Sequence, residues 1–246
     1  MKSLPLALLG AGVLAAAQLM AADHAEAPAV SSVADKSVDI ADVYLFRAEK
    51  PNTIVAMVTF GGVSSGGNTP PRNPIEEGGT YDPDVLYAFS IDTDPDDDGD
   101  NIVAEHTIYA RFGFDGDGNA AVKMENVPGV AAPIVGPVET IVTSPEGFRV
   151  YAGLRDDPFF FDTVGFGQTL NSIGRVEAFA GPFAEDLEPL DDSGDLCFST
   201  ERDTFGFRNL TAIVFEMDAR VATQGGNRIR FWGTTSRFVD PAGGNP

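Results

Sequence analysis

Six aspartates fall within ten residues in the run Asp92-Thr93-Asp94-Pro95-Asp96-Asp97-Asp98-Gly99-Asp100-Asn101. Like charges this dense repel one another, and a multivalent cation is the simplest way to hold them together. The spacing Asp94-x-Asp96-x-Asp98-Gly99, closed by Glu105, is that of an EF-hand calcium loop. In such a loop alternate oxygens converge on one ion, and the glycine permits the sharp turn. The flanking residues, however, are Val, Ile, Tyr and Phe, which favour strands. A strand beginning at Ile102 would rise about 3.3 Å per residue and carry Glu105 roughly 10 Å from the loop. The expected calcium ligands are therefore Asp92, Asp94, Asp96, Asp98 and Asp100, without Glu105. The competing reading is an exposed Asx-rich turn that holds no ion.

A second turn, Asp115-Gly116-Asp117-Gly118-Asn119, begins the same way but lacks later ligands. Asp-Gly is a common hairpin-turn dipeptide, so an ordinary turn is expected there. Of the two histidines, His106 falls on the apolar face of its strand and is expected to be buried and hydrogen-bonded. His24 stands beside Asp23 and Glu26. Cleavage after Ala21 would leave Ala22-Asp23-His24, whose amine, amides and imidazole form a copper-type chelate. One histidine cannot build a multi-histidine zinc site. Cys197 is the sole cysteine, which excludes an intrachain disulfide and a cysteine-based zinc site; a buried, inert thiol is expected. In Arg155-Asp156-Asp157-Pro158 the adjacent acids point in different directions. A catalytic dyad needs convergent carboxylates. Arg155 is instead expected to pair with a carboxylate, and Asp157 to shape a proline turn that aims Phe159, Phe160 and Phe161 into the core. Neither a Ser–His–Asp context nor a phosphate-cradling glycine loop is present.

The elements that must position these groups read as strands. Residues 37–46, 53–60, 85–91, 102–114, 120–124, 140–143, 148–154, 209–217 and 228–235 are short, rich in β-branched and aromatic residues, and separated by Gly/Pro/Asn turns. Residues 102–114 alternate, with Ile102, Ala104, His106, Ile108, Ala110, Phe112 and Phe114 on one face. Pro128, Pro133 and Pro137 mark a loop, 61–80 is a long Gly/Pro/Ser-rich loop, and 163–200 is irregular with some helical pattern near 169–179. The expected fold is all-β: a single antiparallel β-sandwich or barrel-like domain over 23–246, with long irregular loops.

Residues 1–22 carry an early Lys2, an apolar Ala/Leu run and small residues before the first acids, which is the pattern of a cleaved secretory signal peptide. The apolar run is short for a membrane span. The chain has 246 residues, with 37 acidic against 16 basic and a net charge of −21. Loss of Lys2 would leave lysine only at positions 36, 50 and 123. Such a surface repels nucleic acid and anionic lipid, attracts divalent cations and suits a saline habitat. A secreted or periplasmic protein of the cell surface or matrix is expected, with its protein or glycan partner left open.

Several blocks carry a resemblance. Asp23-His24-Ala25-Glu26-Ala27-Pro28, Asp39-Ile40-Ala41-Asp42-Val43-Tyr44-Leu45-Phe46, Asp84-Val85-Leu86-Tyr87 and, most specifically, residues 151–162 (YAGLRDDPFFFD) are similar to a bacterial exported family catalogued as domain of unknown function 4331. Residues 209–216 and 232–237 are similar to its closing strands. The resemblance implies export and one β-rich domain, without an established activity. It suggests that His24, Asp42, Arg155, Asp156 and Asp157, which lie in its motif blocks, gather into one polar or metal site.

Overall fold

The computed structural model describes residues 37–61, 80–93, 102–162, 165, 199–203, 209–226 and 228–238. Among the described residues ten strands form in chain order: β1 (Ile40–Arg47), β2 (Thr53–Phe60), β3 (Val85–Asp92), β4 (His106–Phe114), β5 (Ala120–Glu125), β6 (Ile134–Pro137), β7 (Val142–Thr143), β8 (Arg149–Asp156), β9 (Asn209–Asp218) and β10 (Arg230–Arg237). Among the described residues a short helix, α1 (Ala219–Ala222), follows β9. The strands make two antiparallel five-stranded sheets, ordered β1-β2-β9-β8-β7 and β10-β3-β4-β5-β6. The expected all-β sandwich is the fold.

The two faces of each strand explain the arrangement. In β2, Ile54, Ala56, Val58 and Phe60 point inward and are buried; in β3, Val85, Tyr87, Phe89 and Ile91 do the same. Phe60 meets Tyr87 with ring centroids 4.5 Å apart, and Phe89 meets Phe215 at 5.2 Å. Both are geometries that aromatic rings favour. The buried Tyr87 hydroxyl is satisfied by donating to the Ser37 carbonyl at 2.6 Å. Burial of this alternating set is the main force holding the sheets face to face.

Two sequence expectations need correction. Residues 128–137 are not all loop: Ile134–Pro137 pairs with β5 as an edge strand. An edge strand tolerates proline because one side of its backbone has no ladder to complete. β4 begins at His106, not at 102; Ile102 and Val103 are exposed. His106 is accordingly only partly buried, and its Nε2 contacts the Asn126 carbonyl.

The chain divides into two compact units, Met20–Phe160 with Thr204–Pro246, which holds all ten strands, and Met1–Leu19 with Phe161–Asp203. Within the second, the buried Asp162 carboxylate accepts from Arg202 Nη2 at 2.7 Å, from the Ser199 amide at 2.8 Å and from the Gly165 amide at 2.9 Å. Among the described residues, no helix is long and apolar enough to cross a membrane.

Candidate functional sites

The mouth of the acidic loop is built by the ends of β3 and β10. Asp92 closes β3, is 1% exposed and lies opposite Arg230 in the strand register. Arg230 Nη1 donates to Asp92 Oδ2 at 2.8 Å, so one carboxylate of the run is neutralised by the protein itself. The neighbouring Thr93 amide donates to Glu105 Oε2 at 2.8 Å. Glu105 thus returns to the start of the loop, against the expectation that a strand would carry it away. The hairpin register is the physical reason: Ile91 of β3 faces His106 of β4, so Glu105 lies level with the end of β3. Asp94, Asp96, Asp98 and Asp100 lie outside the described residues. Among the described residues no group of three or more His, Cys, Asp or Glu side chains is arranged to hold a metal.

The Asp115–Asn119 turn behaves as expected of a plain turn. Asp115 accepts from the Asp117 amide at 2.9 Å, the Asn119 amide at 2.8 Å and the Asn119 side chain at 2.9 Å. Gly118 supplies the left-handed residue, φ +85°. The Asn119 side chain foremost, with these amides, holds the Asp115 carboxyl below its usual range.

The second predicted constellation is partly assembled. In the register of the first sheet Asp42, Tyr44 and Phe46 of β1 stand opposite Thr59, Met57 and Val55 of β2, on the outer face. Asp42 and Asp157 are 7% and 5% exposed, although 115 positions separate them. Both act on the Tyr44 phenol: burial first, then the Asp42 and Asp157 charges, push its pKa up. Asp157 Oδ1 accepts from the Phe159 amide at 3.0 Å, shaping the proline turn as expected. Phe160, however, is 49% exposed and does not enter the core. Asp156 is exposed and pairs with Asn209 in the β8–β9 ladder. Arg155 does not join Asp157: its guanidinium lies 3.7 Å from the Tyr151 ring centroid and donates to the Leu154 carbonyl at 2.7 Å. A guanidinium stacked on a phenol face is a favourable cation–π contact. His24 and Cys197 lie outside the described residues.

A third cluster was not foreseen. Glu139 sits in the crossover from β6 to β7 with φ +58°. Its carboxylate accepts from the Tyr151 hydroxyl at 2.6 Å, from the Leu154 amide at 2.8 Å and from the Tyr81 hydroxyl. Its own amide donates to the Ala152 carbonyl at 2.7 Å. Gly153 lies directly beneath: any Cβ there would collide with the Tyr151 hydroxyl and the Glu139 carboxylate. Burial raises the Glu139 pKa, but the hydrogen bonds from Tyr151, Tyr81 and Leu154, with the Arg155 charge, outweigh it and hold the carboxyl below its ordinary range. The one sequence signal was a lone acid in the otherwise uncharged run 133–145. Pairing it with Tyr81 and Tyr151 required the fold.

Compared with family models, curated proteins and solved structures, the chain matches none.

Proposed function

We propose that this is an exported acidic β-sandwich whose β3–β4 loop binds a divalent cation, calcium foremost, and uses it to fix two strands for a structural or binding role outside the cytoplasm. The observation that carries this reading is the return of Glu105 to the Thr93 amide. It places the twelfth position of the Asp94–Glu105 spacing beside Thr93, the residue that precedes the first, and a closing glutamate at that end is what a calcium loop requires. Asp92, already neutralised by Arg230, serves as an anchor at the mouth. Export rests on the leader-like pattern of residues 1–22 and on the resemblance carried by residues 151–162. The test is calorimetry of metal-free protein. Calcium at a hundredfold excess over its Kd should stabilise the fold by about 2.7 kcal/mol, a rise in Tm of about 5–10 °C for a domain of this size. Asp96→Ala with Asp98→Ala should abolish the rise; an unchanged Tm in wild-type protein overturns the proposal.

A second reading is favoured by the meeting of Asp42 and Asp157 at Tyr44: a polar or copper-type metal site completed by His24, with or without enzymatic activity. Copper stabilisation that disappears in His24→Ala would support it. Equal copper response in wild type and variant would remove it.

A further inference from the structure

The crossover between β6 and β7 joins the two sheets, and one carboxylate fastens it to β8 of one and, through Tyr81, whose ring centroid lies 5.1 Å from that of Phe112 in β4, to the other. Val138 donates its amide to the Ala120 carbonyl of β5 at 3.2 Å, in one sheet. Glu139 bonds Tyr151 and Leu154 of β8, in the other, and Tyr81 in the lead to β3. A left-handed backbone suits glycine or asparagine and is unfavourable for other residues. At Glu139 the side chain's three donors are the visible compensation for that cost.

We propose that Glu139 is an acid-released latch: ionised, its carboxylate clasps the crossover to both sheets; protonated, it frees the crossover while the rest of the sandwich stays folded. A carboxylate offers acceptor sites to all three donors, whereas a carboxylic acid carries a proton that competes with them. The titratable and charged groups facing Glu139 are Tyr151 and Arg155 from β8 and Tyr81 from the lead to β3. Both tyrosines are pushed up by burial and by Glu139 and remain neutral donors throughout the acid range. The sign follows: a carboxyl held below its unfolded value stabilises above that value, 4.5, and loses its contribution as pH falls through the lower folded one. Release therefore belongs to pH below about 4.5. The residues it would loosen include exposed Ile141, with Val135 exposed on the adjoining strand.

The test is hydrogen exchange read by mass spectrometry at pH 7 and in steps down to pH 3, corrected for intrinsic rates. Residues 138–142 and the Leu154 amide should lose protection at least tenfold on acidification, while β2 and β9 keep theirs. Glu139→Gln should show the loosened crossover at pH 7 and no further pH step there. Tyr151→Phe, which keeps the carboxylate but removes one donor, should move the step to higher pH. Protection of 138–142 that is independent of pH, or lost only together with β2 and β9, overturns the latch.

Discussion

The two acidic turns start alike in sequence and end differently in structure. In Asp115–Asn119 one carboxylate collects three donors from its own turn, so its charge is already satisfied. At the β3–β4 loop Asp92 is bonded by Arg230 from another strand, and Glu105 accepts from the Thr93 amide at the opposite end of the loop. The difference teaches that spacing alone does not make a cation loop. What matters is whether the turn consumes its own acceptors. A closed Asx turn does; at the β3–β4 loop that question falls to Asp94, Asp96, Asp97, Asp98 and Asp100, which lie outside the described residues.

The sharpest way to break this contrast is calcium itself. Asp96→Ala with Asp98→Ala should erase a calcium-dependent Tm rise of about 5–10 °C, whereas Asp115→Ala should leave that rise intact. If both variants lose it equally, the contrast is wrong. Next in size is the anchor. Arg230→Ala removes the ion pair from the buried Asp92 carboxylate, and urea unfolding should show a loss of about 2–3 kcal/mol, below the ~3–5 of a wholly buried pair because the arginine is partly exposed. Cutting one donor from the Glu139 cluster by Tyr151→Phe should cost about 1–2 kcal/mol in the same assay.

A smaller effect comes from Asp218, which caps α1 and behaves like the self-satisfied turn. Its carboxylate bonds the Arg220 guanidinium and accepts from the Arg220 and Val221 amides. Those bonds, Arg220's side chain first, hold its pKa at about 2. Its stabilisation is present above the unfolded value of 3.8 and fades as pH falls through about 2. Asp218→Ala should cost about 1 kcal/mol at pH 7 and flatten the stability profile between pH 4 and 2. An unchanged profile would show that the cap contributes nothing.

Much of the sandwich was legible because β2, β3 and β9 are short runs rich in β-branched and aromatic residues between turns, which is how buried strands read. β6 was hidden by Pro133 and Pro137, which punctuate a sequence even where an edge strand tolerates them. Glu105 was misplaced because Ile102 and Val103 look like strand residues, yet they are exposed and lie ahead of β4. The family resemblance suggested a site holding Asp42 and Asp157 but not Tyr44, on which both act; no local spacing relates positions so far apart. Glu139 was invisible for a different reason. Its role depends on a left-handed backbone and on partners from two separate segments, neither of which leaves a mark in composition or period.

The borders of the sheets carry one last consequence. β7 has two residues, β6 ends in Pro137, β1 is interrupted between Ile40 and Asp42, and Thr235 of β10 reaches back to the Val38 carbonyl at 2.7 Å. A neighbouring molecule trying to add itself as one more strand would find only a short row to grip along β6 or β7. Crowded at high concentration, this protein has little means of growing into fibres through those two margins.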